Sequence, residues 1–153
     1  MNLRDSMRPI MVGDTNFWVS AIIGSGLCYK LSQLIFEGKI HHVTSLKLLR
    51  ELTDVLRRHF GYSDAEAYTW YKNIGAISTV VYQFFSVLEQ IQASRNHADN
   101  PLLECAVFAG ADYLVTRDKD LLVLHPFLGI SIVTPEDFLE ELVRFGVVSS
   151  RQL

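Results

Sequence analysis

Two carboxylates follow short apolar runs, where a parallel α/β protein can use them for chemistry. Asp14 directly follows the run Ile10–Gly13, and Asp118 comes shortly after the run Tyr113–Val115. Both runs are bounded by turn-prone residues and read as buried strands. Ligands of parallel α/β sheets bind beyond the carboxyl ends of the strands. The sequence therefore places both acids at the edge of a sheet where a ligand would bind.

Two further acids are predicted to reach the same edge from neighbouring elements. Asp99 lies in a polar loop just before the helix that leads into the second of these strands. Glu51 lies within a predicted helix, where Leu48 and Val55 share its face, so we expect its carboxylate to project from a largely apolar stripe. A charge in such surroundings is costly unless it has a partner, which makes this acid a candidate ligand.

Carboxylates gathered at one edge repel one another, and each raises the pKa of the next unless cations bind between them. Mg²⁺ and Mn²⁺ suit hard oxygen ligands of this kind, keep several waters and accept phosphate oxygens. Such a site activates a water for in-line attack on phosphorus and stabilises the leaving oxygen. The pattern therefore indicates a metal-dependent phosphodiester hydrolase.

Each acid also has a purely structural explanation. Asp14 could form an Asx-turn, while Asp99 and Asp118 could each cap a helix. Glu51 could be a partly exposed helical acid paired with a cation on the same helix. One acid alone is a weak signal, and only the joint placement of all four favours a metal site.

The elements that must position these acids alternate between short strands and helices. We expect strands at Ile10–Gly13, at residues 39–44, in a segment ending near Ile91, at Tyr113–Val115 and at Ile130–Val133. The stretch between Ile74 and Gln92 is ambiguous, because β-branched residues favour a strand whereas later apolar residues continue a helical pattern. We expect a helix to about Phe85 there, with the third strand after it. This alternation predicts one parallel sheet covered on both faces.

Length and composition favour one globular domain over residues 1–153, with residues 1–9 as a flexible N-terminal segment. Apolar residues make up 49% of the chain and charged residues 20%, and the net charge is −3. No apolar run approaches the roughly 18 residues that span a bilayer, so no membrane partner is expected. Cys28 and Cys105 lie among apolar neighbours and are expected to be buried, reduced thiols, which fits a cytoplasmic protein.

The blocks that contain the four acids resemble the PIN domain. Together they extend over residues 10–142, and the group they resemble most is the bacterial toxins of toxin–antitoxin modules. The matching stretches are Asp14–Asn16, Glu51 within residues 48–56, Asp99–Ala106 and Gly110–Leu122.

The resemblance implies a three-layer α/β/α sandwich around a mostly parallel sheet of about five strands. It implies a cytoplasmic endoribonuclease that uses Mg²⁺ or Mn²⁺ to cleave RNA. It also implies the toxin role in a type II toxin–antitoxin module, with an antitoxin protein as partner and a homodimer as the assembly. The implied catalytic and metal-binding residues are Asp14, Glu51, Asp99 and Asp118, and the supporting residues near water or phosphate are Asn16, Thr116, Arg117 and Asp120.

Two features depart from the family pattern. Arg117 stands where Gly is frequent, and it would put a cation beside the metals. Residues 95–97 (Arg, Asn and His) stand where another acid is frequent. Either change could tune RNA contact or weaken metal affinity, so a catalytically weak PIN-like module that binds RNA or a protein partner is the alternative.

A phosphotransfer or phosphatase domain is a weaker hypothesis. Haloacid-dehalogenase phosphatases need an acid two residues after the nucleophile, and Asn16 occupies that position relative to Asp14. The chain also contains no Gly-rich Walker loop with a Lys. Among the remaining polar residues, four cations form a strip that is a solvated helix face by default and an RNA-facing strip in the alternative: Lys47, Arg50, Arg57 and Arg58.

Overall fold

A computed structural model describes residues 8–82 and 100–149, together with Arg151. Its centre is a five-stranded sheet in which every neighbouring pair of strands is parallel, in the order β3-β2-β1-β4-β5. The strands are β1 (Ile10–Gly13), β2 (His41–Ser45), β3 (Ser78–Val81), β4 (Tyr113–Val115) and β5 (Ser131–Val133). The predicted parallel α/β sheet is confirmed.

Helices connect the strands, and several of them begin at a residue whose side chain caps the helix. The described helices are α1 (Thr15–Ile23), α2 (Leu27–Phe36), α3 (Leu46–Phe60), α4 (Asp64–Ile77), α5 (Asn100–Phe108), α6 (Lys119–Leu122) and α7 (Pro135–Arg144). Ser45 caps α3 through the backbone N–H of Leu48. Ser63 and Glu66 form the predicted capping box at the start of α4. Local capping chemistry therefore sets the start of both helices.

The core lies on both faces of the sheet. Successive residues of a strand point to opposite faces, so Met11 packs into one apolar cluster and Val12 into the other. The first cluster includes residues of α1, α2 and α3, such as Trp18 and Leu52, and the second includes residues of α5 such as Leu103. Helices on both faces make the architecture a three-layer α/β/α sandwich.

The strand register brings the carboxyl ends of β1 and β4 together. Gly13 pairs with Val115, and the backbone N–H of Asp14 donates to the carbonyl of Val115 at 3.2 Å. Because β1 is the central strand, the residues that follow β1 and β4 meet in the middle of the carboxyl edge. This register positions the candidate site.

One predicted element is wrong. The helix expected to reach Phe85 ends at Ile77, and the third strand is Ser78–Val81. Thr79, Val80 and Val81 are β-branched, and pairing with β2 outweighs the helical continuation that the apolar pattern suggested. Residues 83–99 lie outside the described residues, including the segment near Ile91, the departures at residues 95–97 and Asp99.

The N-terminal residues that the structure describes contact β2. The carbonyl of Pro9 accepts the backbone N–H of His41 at 2.9 Å, and the Arg8 guanidinium bonds Nδ1 of the same histidine at 2.7 Å. The remainder of the predicted N-terminal segment, residues 1–7, lies outside the described residues. Cys28 and Cys105 are both buried and free, as expected.

In the part of the chain that the structure describes, no single helix has the length and apolar character to cross a membrane. Helices α1 and α2 taken together have sufficient length and apolar composition, and the two helices are bent by 95° relative to each other.

Candidate active site

A pocket of about 310 Å³ opens at the carboxyl edge of the sheet. It brings together three of the four predicted acids, and the fourth, Asp99, is outside the described residues. Apolar side chains from α3, α5 and α6 form part of its wall. The lining residues are Asp14, Thr15, Asn16, Leu48, Glu51, Leu102, Arg117, Asp118 and Leu121.

Asp14 is held by two hydrogen bonds, one to each carboxylate oxygen. As the N-cap of α1 it accepts the backbone N–H of Phe17 on Oδ1 at 2.8 Å. Its Oδ2 accepts the hydroxyl of Thr116 at 2.6 Å. Asp14 therefore has both a structural and a possible functional role, because its carboxylate caps α1 and also lines the pocket.

Burial raises the pKa of Asp14 above its ordinary value, and the hydrogen bonds from Thr116 and Phe17 oppose that rise. The neighbouring carboxylate of Asp118 raises the same pKa further, whereas the cation of Arg117 lowers it. The ionised form of Asp14 is thus disfavoured by its surroundings. A positive charge bound in the pocket would stabilise it.

Asp118 is the N-cap of α6, and its Oδ1 accepts the backbone N–H of Asp120 at 2.9 Å. Its own backbone N–H donates to the Thr116 hydroxyl at 3.0 Å. Thr116 is 1% exposed, and its hydroxyl links the Asp14 carboxylate to the backbone of Asp118. Asp120 is outside the pocket lining and contributes its backbone to orienting Asp118.

Glu51 lies at the rim of the pocket and is exposed, which corrects the expectation that it projects from an apolar stripe. Leu48 is buried and Val55 is half-buried, and the helix turns the carboxylate between them outward. Its Oε2 accepts the hydroxyl of Thr15 at 3.1 Å. Sequence reasoning did not single out Thr15, and its only local signal is its position next to Asp14.

Arg117 also lines the pocket and forms two hydrogen bonds with Glu136, both of 2.7 Å. It also contacts the thiol of Cys28, whose pKa is raised by burial. Asn16 is exposed in the pocket lining. The pocket therefore contains carboxylates and a guanidinium that Glu136 of α7 holds in place.

His42 supports the corner that presents Asp14, a role that the sequence did not reveal. The imidazole is fully buried, and Nε2 accepts the indole N–H of Trp18 at 3.1 Å and the backbone N–H of Gly13 at 3.5 Å. Since Nε2 accepts, Nδ1 carries the proton and donates to the Ser78 hydroxyl at 2.7 Å. Burial, with a smaller effect of His41, lowers the pKa of His42 to about 3.

Gly13 is required at the same corner for a steric reason. A Cβ on this residue would lie 2.5 Å from Cδ2 and 3.0 Å from Cγ of Phe17. The phenyl ring of Phe17 packs against Trp18 in an edge-on arrangement, at a centroid distance of 5.4 Å. Because the backbone approaches this ring so closely, the residue that precedes Asp14 must be glycine.

The donor chemistry of the pocket fits a hard divalent cation. Apart from the Arg117 guanidinium, its polar lining consists of carboxylate, hydroxyl and amide groups, whose oxygens suit Mg²⁺ or Mn²⁺, and it contains no imidazole or thiolate donor. Across residues 8–82 and 100–149, however, no three His, Cys, Asp or Glu side chains converge closely enough to form a metal cluster.

The family model for the PIN domain matches residues 11–120. The chain belongs to the PIN-domain family. PIN domains are generally nucleases and typically use divalent metals. This PIN domain is 30% identical over 165 residues to uncharacterized protein MJ1680 of Methanocaldococcus jannaschii, with 95% of this chain and 99% of that protein covered.

The fold of this PIN domain is also that of a solved structure. PAE2754 from Pyrobaculum aerophilum superposes with a TM-score of 0.57 at 19% identity, covering 94% of this chain and 96% of the other. At this level of identity the likeness shows the fold alone.

Proposed function

We propose that this PIN domain is a cytoplasmic endoribonuclease that hydrolyses RNA phosphodiester bonds with Mg²⁺ or Mn²⁺. The observation that carries the proposal is the pocket shared by Asp14, Glu51 and Asp118 at the carboxyl edge of the sheet. Membership of a family of nucleases supports the reaction class. The hard oxygen donors support the choice of ion.

Each pocket residue has a role in this proposal. Asp14 and Asp118, with Asp99, hold the metal, which when bound supplies Lewis-acid stabilisation of the phosphate and activation of water. Glu51 orients the attacking water as general base, and Thr15 fixes its carboxylate. Asn16 and Arg117 contact phosphate oxygens of the substrate, since both line the pocket. Thr116 holds Asp14 and Asp118 in position relative to each other through the two hydrogen bonds of its hydroxyl.

The biological role we propose is that of the toxin in a type II toxin–antitoxin module. Only the sequence resemblance to bacterial toxins supports this role, together with an antitoxin partner and a homodimeric assembly. A small open reading frame immediately upstream, whose product binds this chain and blocks RNA cleavage, is the expected result. Light scattering of the purified chain tests the homodimer.

The chemical proposal is tested with purified chain and a labelled single-stranded RNA. We expect endonucleolytic cleavage in Mn²⁺ that stops in chelator, and a loss of about 100-fold or more in Asp118→Asn and Glu51→Gln. Asp54→Asn is the matched control, because Asp54 lies on α3 like Glu51 but bonds Arg57 and is outside the pocket lining. Full cleavage by Asp118→Asn would overturn the assignment of the site.

A catalytically weak RNA- or partner-binding module is the second candidate. The sequence feature that supports it is the absence of an extra acid at residues 95–97, which are Arg, Asn and His. Titration of the wild-type chain with Mn²⁺, followed by calorimetry, separates the two. Saturable binding that Asp14→Asn weakens supports the nuclease, whereas no saturable binding supports the module.

A further inference from the structure

Helix α3 carries a row of exposed cations beside the candidate active site. Lys47, Arg50 and Arg58, named here the α3 strip, are all exposed. The same helix contributes Glu51 and Leu48 to the pocket. The strip therefore begins at the rim of the site and extends along the helix away from it.

The charges of the α3 strip are available to a ligand. Within residues 8–82 and 100–149, no member of the strip forms an ion pair. Arg57, on the same helix, differs because it pairs with Asp54 of α3 and Asp64 of α4. The charge of Arg57 is therefore neutralised within the fold, whereas no described residue neutralises the charges of the three strip residues.

Helical geometry aligns the strip with the acid at the pocket. Lys47 lies one turn before Glu51 and Arg58 lies two turns after it, so the three side chains share a face. Arg50 lies next to this face. At about 1.5 Å per residue, Lys47 and Arg58 are roughly 17 Å apart along the axis.

We propose that the α3 strip binds the sugar-phosphate backbone of single-stranded RNA and leads it into the pocket. This inference rests on the proposed ribonuclease function. A chain of net charge −3 with carboxylates at its site repels a polyanion, so cations beside the site must offset that repulsion. A single strand fits because its flexible backbone can follow one helix and bend a phosphate into the pocket, whereas a duplex is held stiff by base pairing.

Counterion release gives the strip a measurable signature. Each phosphate neutralised on a single strand contributes about −0.7 to the slope of log K against log salt concentration. Three strip residues therefore contribute about −2 to that slope. Replacement of one cation by a neutral residue reduces the slope by about 0.7 without dependence on RNA sequence.

The test measures binding in chelator, where no cleavage occurs. A fluorescein-labelled oligouridylate is titrated with full-length chain at several salt concentrations, and anisotropy reports the affinity. Variants are Lys47→Gln, Arg50→Gln, Arg58→Gln and the triple. Arg57→Gln is the control on the same helix, and Lys30→Gln, exposed on α2, controls for net charge. The matching RNA duplex is titrated in parallel.

We expect the salt slope to fall by about 0.7 in each strip variant and by about 2 in the triple, with both controls unchanged. An unchanged slope in the triple variant overturns the strip as an RNA surface. Binding of the duplex as tight as that of the single strand, at the same salt concentration, overturns the choice of single strands. Because binding is read without metal, a wild-type chain that binds as expected but fails to cleave RNA contradicts the proposed function and leaves the strip standing.

Discussion

Thr116 donates its hydroxyl to Oδ2 of Asp14 at 2.6 Å and accepts the backbone N–H of Asp118 at 3.0 Å. A single buried oxygen therefore fixes two acids that arrive from different strands. The bond to Asp14 favours the ionised carboxylate and opposes the effect of burial on its pKa. Thr116 is thus a positioning residue. We expect its loss to reduce metal affinity more than it reduces the free energy of unfolding.

Replacement of Thr116 by Val removes both hydrogen bonds at nearly constant volume. We expect a 10–100-fold loss of Mn²⁺ affinity or cleavage rate, the usual effect of removing a group that orients a ligand. The stability cost is on the order of 1 kcal/mol per lost hydrogen bond. Calorimetric titration with Mn²⁺ and urea unfolding measure the two effects. Thr116→Ser keeps the hydroxyl, and a loss of metal affinity as large as that of Val would refute the role.

Arg117 places a cation beside the acids, and its neutralisation should change metal and RNA binding in opposite directions. In Arg117→Gln we expect Mn²⁺ to bind several-fold more tightly, because a repulsive charge is removed. The KM for RNA should rise, because a phosphate contact is lost. The exposed pair with Glu136 contributes only about 0.2–1 kcal/mol, so stability should change little. Equal weakening of Mn²⁺ and RNA binding would contradict this prediction.

His42 should make stability depend on pH below neutrality. Its pKa is about 3 in the folded chain and 6.5 in the ordinary state, so between these values only the unfolded chain binds a proton. The contribution of the neutral His42 to the free energy of unfolding is therefore fully present above about pH 6.5. As the pH falls below this value, that contribution decreases by up to about 1.4 kcal/mol per pH unit. Urea unfolding of wild type and His42→Gln across this range isolates the effect as the difference in slope.

The matched control for loss of an imidazole is His59→Gln, at the exposed end of α3. It removes an exposed imidazole and so shows the effect of losing a histidine that is not buried. If His42→Gln and the wild type had the same slope, the buried neutral imidazole would not be the source of the pH dependence.

Gly13→Ala should disturb the corner that presents Asp14. The new Cβ would lie 2.5 Å from the Phe17 ring, and overpacking of this kind costs about 1–3 kcal/mol. We expect a lower midpoint of thermal unfolding and weaker Mn²⁺ binding, with partial recovery when Phe17→Leu is added. Gly26→Ala is the control, because apart from the adjacent residues no described atom lies within 4 Å of its Cβ position. Equal destabilisation by both substitutions would exclude the steric explanation.

Local chemistry in the sequence was sufficient for most of the fold. The strands at Ile10–Gly13 and Tyr113–Val115 are bounded apolar runs, and Ser45 and Ser63 cap their helices through bonds to residues three positions later. The predicted end of α4 is wrong, because strand pairing with β2 determines the conformation of Ser78–Val81. That decision depends on the tertiary structure, which apolar periodicity does not report.

The sequence predicts the shared location of three of the four acids, whereas it does not predict the contacts that hold them; Asp99 lies outside the described residues. Asp14, Glu51 and Asp118 line one pocket, as their positions after strands and within a helix suggested. The bond from Thr15 to Glu51 joins residues 36 apart, and the bond from Trp18 to His42 joins residues 24 apart. No local pattern encodes such partners, because they meet only when helices pack on the sheet.

Asp14 and Asp118 each cap a helix and also line the pocket, and this affects how relatives of this chain should be compared. Both acids cap helices, a task that favours Asp, Asn, Ser or Thr whether or not RNA is cleaved. A descendant that had lost its nuclease activity would still be selected to keep a capping residue at both positions. Glu51 lies in the interior of α3 and caps nothing. Under the proposed mechanism, its retention or loss is therefore the better indicator of which homologues cleave RNA.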